Sequence, residues 1–137
     1  AHFDRLVREG ADPSRIYIGH ADFGDDASEH LHVARAGGHL IFTFWGIQHW
    51  VDQDRLVRHV VELVDAGFAS SVLLSIDYAA GYSPDGTKLL DEHFGCENRR
   101  HAFLFRYTLP RLRAAGISEA VIHQFLVDNP RAMLCRE

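Results

Sequence analysis

Apolar positions along this chain come in short runs, and the period of each run alternates between that of a helix and that of a strand. Ala1 to Glu9 (AHFDRLVRE) predicts a helix that stops at Gly10, a helix C-terminal signal. After ADPS, Arg15–Gly19 is a brief apolar run that predicts a strand. Asp25 or Asp26 can cap a helix through about Ala36, closed by Gly37-Gly38. His39–Trp45 (HLIFTFW) is rich in β-branched and aromatic residues and predicts a buried strand. Asp52 can cap the next helix, which runs to Ala66 with Leu56, Val60, Leu63 and Val64 on one face, and Gly67 closes it. Ser71–Ile76 (SVLLSI) is nearly all apolar, as parallel strands covered on both faces are. A loop rich in Gly, Ser and Asp is expected from Tyr78 to about Arg99. Helical segments follow at Ala102–Ala115, interrupted at Pro110, and at Ser118–Val127. Asn129-Pro130 then opens a last short turn, with Pro at a first helical position.

The predicted order is a helix followed by three strand–helix units, which makes the fold class α/β. Such alternation implies parallel strands joined by right-handed crossovers. Two architectures fit: a small open doubly wound domain, or part of a (β/α)8 barrel. No strand precedes the first helix and the chain opens on Ala1 rather than Met, so a segment of something longer is expected.

Composition narrows the function classes. With 137 residues, 47% of them hydrophobic, the chain can bury one core and suits a single or partial domain over residues 1–137. A net charge of −5 without a basic cluster argues against nucleic acid as a partner. No apolar run approaches the roughly 20 residues needed to span a bilayer, and no signal-peptide pattern is visible. Cys96 and Cys135 lie far apart and form no CxxC pair, so a reduced, cytoplasmic protein is expected.

In parallel α/β folds the functional side chains sit at the C-terminal ends of strands. The first strand ends in His20, with Asp22 just beyond, and the third ends in Asp77. The second ends in Thr43–Gly46 and offers no charged group. An imidazole and a carboxylate on the rims of neighbouring strands can bind a divalent metal, and the carboxylate can take a proton from metal-bound water. A strand-capping histidine and a turn aspartate explain the same residues without chemistry, and two ligands are too few for a closed site. Asp25 and Asp26 read as helix-start acids. Trp45, Trp50, Tyr78 and Tyr82 follow strand ends and can wall a pocket or pack at the core edge. Gly37-Gly38 and Ala79–Gly86 lack a phosphate-loop pattern, and Ser75 lacks the GxSxG context of a nucleophile. His30 and His32 are two apart on a helix and do not share a face. His93 and His101, like most of the ten histidines, read as surface residues.

The run of IGHAD with Gly19-His20, LLSIDY with Asp77, FRYTLPRLRAAGIS and VDNPRAML resembles the C-terminal part of the phosphotriesterase family of the amidohydrolase superfamily. The D-R-hydrophobic helix ending Ala66-Gly67-Phe68 lies in the same order, and the resemblance covers essentially the whole chain. It implies strands six to eight of a (β/α)8 barrel. It implies two divalent metals, zinc-like, with His20 on the more exposed ion and Asp77 on the more buried one. Asp77 would also accept the proton of the attacking hydroxide. It further implies hydrolysis of a small-molecule phosphotriester, lactone or amide; from their places after strand ends, Trp45 and Tyr78 are expected near the substrate. The family's H-x-H pair, bridging lysine and fifth-strand histidine would lie upstream of Ala1, so this segment alone is expected to be inactive and to need its missing barrel half or self-association. Two departures stand out. Thr43-Phe44-Trp45 occupies the strand end where relatives often carry Asp followed by Arg or His, and Phe23 occupies a position where many carry an acid. Rival readings are a metal-free α/β binding module and a relative that has lost catalysis.

Overall fold

Three parallel strands run through the middle of the chain: β1 (Tyr17–Ile18), β2 (His39–Phe42) and β3 (Val72–Leu74). Their order in the sheet is β1-β2-β3, with Tyr17 opposite His39 and Leu40 opposite Val72. The computed structural model describes residues 2–78, 80–82, 85, 88–90 and 101–135. Helix α1 (His2–Arg8) precedes the sheet, α2 (Ser28–Arg35) connects β1 to β2, and α3 (Gln53–Asp65) connects β2 to β3. A helical run of α4 (Leu109–Ala114), α5 (Glu119–His123) and α6 (Asn129–Leu134) closes the chain.

Every strand is shorter than the apolar pattern predicts, the first two for a local reason. The first starts late because Asp12 accepts a hydrogen bond from the Ser14 amide at 2.9 Å and winds Pro13–Arg15 into a 3-10 turn. The second stops at Phe42 because the amides of Thr43 and Phe44 turn to the carboxylate of Asp22. The predicted loop after Asp77 is also corrected: it contains an antiparallel hairpin of β4 (Ala80–Tyr82) and β5 (Lys88–Leu90). His93 and Cys96 lie outside the described residues, and Cys135 is an exposed free thiol.

Helix α3 behaves as its periodicity requires. Asp52 caps it by accepting from the Asp54 amide at 2.9 Å, an arrangement that contributes about 1 kcal/mol. Leu56, Val60 and Leu63 are wholly buried along its inner face, and each such side chain contributes about 1.5–3 kcal/mol. Near α1, close approach leaves no room for a side chain: a Cβ on Gly38 would stand 2.5 Å from the Phe3 ring. Pro110 and Pro130 lack the amide that an α-helix would bond four residues back. In both places the five residues that end two positions before the proline, Leu104–Thr108 and Gln124–Asp128, widen into a π turn, so the helix continues where interruption was expected. The Asn129 side chain donates to the carbonyls of Ala69 and Val72 at 2.8 and 2.6 Å, which fastens this terminal run under β3.

His30 and His59 are exceptions to the surface placement expected of most histidines. Both are buried, with ring centroids 4.9 Å apart. The His30 ring lies beside the Ala21 backbone and the His59 ring beside the Asp25 backbone, so α2 and α3 together clamp the loop that follows β1. Nδ1 of each ring has no partner. Burial holds both imidazoles below their ordinary pKa, since the charged form would lose its hydration. The unfolded chain therefore protonates first as pH falls. Their contribution is complete above the unfolded value of about 6.5 and declines as pH drops through that value toward the folded one. Urea midpoints measured between pH 7.5 and about 5 should fall with acidity, and the fall should shrink in the His30→Gln/His59→Gln double variant. Equal pH dependence of the two proteins would exclude this pair as the cause.

Candidate functional site

The C-terminal edge of the sheet carries the residues singled out from the sequence. At the end of β1 the chain turns outward at His20, which has φ +54°, and then rejoins the ladder where the Ala21 amide bonds the Ile41 carbonyl at 3.1 Å. The end of β3 repeats the pattern. The Ser75 amide bonds the Phe42 carbonyl at 2.8 Å, and Asp77 then adopts φ +45°. Among the described residues these are the two non-glycine positions with positive φ. Both side chains are exposed. The two strands are not neighbours, however, because β2 lies between them. His20 and Asp77 thus stand at the same end of the sheet but two strand spacings apart, roughly 10 Å at the backbone.

Beneath His20 lies a hydrogen-bonded group that the sequence did not assign. Asp22 is 0% exposed. Its Oδ1 accepts from the amides of Thr43 and Phe44 at 2.8 and 2.9 Å. Its Oδ2 accepts from the Thr43 hydroxyl at 2.8 Å and from the Thr43 amide at 3.1 Å. The same hydroxyl oxygen lies 2.8 Å from Nδ1 of His20. A polar strand end without charge, passed over in the sequence, thus links a buried carboxylate to an exposed imidazole. Asp26 takes the role expected of a helix-start acid, whereas Asp25 turns to α3. Asp26 accepts from the Ser28 amide at 2.7 Å, and bonding from Ser28 holds its carboxyl below the ordinary range. Asp25 pairs with Arg55 at 3.0 Å.

Aromatic rings surround His20. Phe44 packs on it at 4.8 Å between centroids, and Phe23 and Trp50 meet Phe44 edge-on at 5.3 and 5.4 Å. Phe23 and Trp50 keep 55% and 54% of their surface exposed. The expectation for Trp45 is corrected: it is 1% exposed and packs inward, while the buried Phe44 beside it meets the ring of His20. Tyr78 is half-buried and packs against the ring of His101 at 4.9 Å. Beside β1 opens a cavity of about 330 Å³, lined by Phe3, Ile18, His20, Phe23 and Leu40 among others. His30 and His32 do not share a face, as expected: His30 is buried, which the sequence did not predict, and His32 is on the surface, 2.6 Å from Asp4.

Left-handed backbone costs a side-chain-bearing residue about 1–2 kcal/mol. Asp77→Gly should therefore raise the urea midpoint by an amount equivalent to about 1 kcal/mol, and Asp77→Val should lower it. Equal midpoints for the two variants would show that this position is not strained.

Comparison with known proteins agrees with this geometry. The phosphotriesterase family's sequence profile matches residues 3–134. The aryldialkylphosphatase of Saccharolobus solfataricus is 24% identical over 126 residues, which cover 92% of this chain and 40% of that protein. The phospho-furanose lactonase of Mycoplasmopsis synoviae is 28% identical over 136 residues, covering 94% of this chain and 36% of the lactonase. The crystal structure of an amidohydrolase from Mycoplasma synoviae superposes with a TM-score of 0.79 at 27% identity, over 96% of this chain and 37% of the other. The chain thus spans about 40% of the length of such relatives. Its parallel strand–helix units are a portion of a (β/α)8 barrel. The chain belongs to the phosphotriesterase family.

Proposed function

We propose that this chain contributes the His20 and Asp77 side of a metal-dependent hydrolase site at the mouth of a (β/α)8 barrel. One observation carries the reading. The two residues that match the family's motif project from the same end of the sheet, each on backbone that turns the side chain out of the strand. Structural need alone favours glycine at such positions.

The donor set suits a divalent cation of the zinc type. His20 has Nδ1 engaged by Thr43, and its Nε2 makes no hydrogen bond among the described residues. Asp77 offers an exposed carboxylate. Imidazole and carboxylate are both ordinary zinc ligands. Among the described residues no three His, Cys, Asp or Glu side chains form a complete metal cluster. The remaining ligands and barrel strands would come from outside these residues. A bound cation of this kind polarises a phosphoryl or carbonyl oxygen and makes water a better nucleophile. Asp77 accepts the proton released when water attacks. His20 holds its place through Thr43, and Phe44 beneath it keeps water from the apolar side of the site.

The family relatives named above span phosphotriester, lactone and amidohydrolase chemistry, and a small-molecule substrate drawn from those classes is proposed here. The rim of Phe23, Phe44 and Trp50 favours an apolar substituent on that substrate. No helix among the described residues is long and apolar enough to cross a membrane.

In the full-length protein, His20→Ala should lower bound zinc measured by mass spectrometry, and Asp77→Asn should reduce kcat by about 10²–10⁴ with a smaller effect on KM. Unchanged turnover in Asp77→Asn would remove it from the proton-accepting role. Full metal content in His20→Ala would remove His20 from the ligands.

A further inference from the structure

We propose that Asp22 and Thr43 are positioning residues that fix the tautomer of His20. They hold its proton on Nδ1 and leave Nε2 as the bare, metal-facing nitrogen. The inference deepens the metal-site reading above and rests on it for its functional meaning, but the geometry that carries it stands without a metal.

The deduction is a count of hydrogens. A threonine hydroxyl has one hydrogen to donate and two lone pairs to accept with. The Thr43 hydroxyl donates to Oδ2 of Asp22 at 2.8 Å. It therefore meets Nδ1 of His20, at 2.8 Å, only as an acceptor. Nδ1 must carry the ring hydrogen, and in the neutral ring Nε2 then carries a lone pair. The opposite tautomer would set the Nδ1 lone pair against the oxygen lone pairs. Relief would require the hydroxyl to swing away from Asp22. That carboxylate is 0% exposed and could not replace the lost donor from water.

The direction of the chain is set at its buried end. Asp22 Oδ1 takes the amides of Thr43 and Phe44, and Oδ2 is turned to the hydroxyl. The two backbone bonds fix which way the carboxylate faces, so the hydroxyl has one place to point its hydrogen. A carboxylate thus acts on an imidazole that it does not touch. The outer partners of metal-binding histidines set ring orientation and tautomer in this manner, and their loss typically lowers metal affinity by 10–100-fold.

Asp22→Asn gives the sharpest test because it keeps the shape and inverts the polarity. Its amide oxygen can keep both backbone bonds at the Oδ1 position, while its NH2 replaces Oδ2 and donates to Thr43. The hydroxyl hydrogen is then released toward His20, which drives the ring hydrogen to Nε2. Thr43→Val removes the acceptor at nearly equal volume, and Thr43→Ser keeps it. The measurement is a long-range proton–nitrogen correlation spectrum of metal-free full-length protein, labelled with 15N-histidine, at one pH where the ring is neutral. His20→Gln assigns the signal.

Wild type and Thr43→Ser should show His20 protonated at Nδ1. Asp22→Asn should show it protonated at Nε2, and Thr43→Val should raise the Nε2–H fraction. Zinc titration of the same samples should weaken 10–100-fold in Asp22→Asn and Thr43→Val and stay near wild type in Thr43→Ser. An Nδ1–H ring in Asp22→Asn overturns the proposal. Should Asp22→Asn not fold, Thr43→Val decides, and an unchanged tautomer there overturns it equally. A wild type that shows the Nδ1–H ring but takes up no zinc keeps the tautomer lock and refutes the metal reading instead.

Discussion

The end of this sheet depends on one buried carboxylate. Strands of two to four residues offer few ladder hydrogen bonds, and β2 ends with two amides that no neighbouring strand satisfies. Asp22, arriving from the loop after β1, accepts both. It therefore closes β2, holds the β1–α2 loop against the sheet and sets the height at which His20 leaves it. A buried carboxylate taking several backbone donors in a water-poor setting is held firmly in place. The cost of desolvating it is offset only while all of its partners are present. Fold and site share the same bonds here, so a change that damages one is felt in the other.

The aromatic rim follows from the same anchoring. With the Phe44 amide fixed on Asp22, its ring faces the mouth, and Phe23 and Trp50 pack against it. Phe23 stands where the resemblance to the family leads one to expect an acid. A carboxylate in that place would meet the face of Phe44 with its charge unpaired, so the two departures from the family pattern form one compatible set. The exposed rings also have a geometric basis: they are held edge-on and cannot fold flat against one another.

Much of the architecture was legible in the residues. The alternation of periods, the acids before α2, the helix cap at Asp52 and the glycines after α2 and α3 placed the elements in order. His20 and Asp77 were found because the ends of parallel strands are few. Strand lengths were not legible, because hydrophobicity does not reveal that Asp22 takes the amides of Thr43 and Phe44. The π turns before Pro110 and Pro130 were hidden as well, since proline announces a missing bond but not how the helix absorbs it. The second strand end was passed over because threonine carries no charge, and its value appears only when Asp22 and His20 are seen on either side of its hydroxyl. Trp45 follows the strand end yet is buried, and hydrophobicity alone does not reveal that Phe44 rather than Trp45 meets His20.

The clamp of His30 and His59 has a consequence for how this site can drift in evolution. The loop that presents His20 is moored to two helices on the outside of the sheet, so the mouth inherits the packing of the outer layer. A neutral-looking substitution between α2 and α3, far from any substrate, would shift the mooring points at Ala21 and Asp25 and with them the imidazole. Such a layer confines acceptable changes on the exterior to those that keep the spacing of the two rings. Selection for the interior chemistry would then be written partly in residues that never face it.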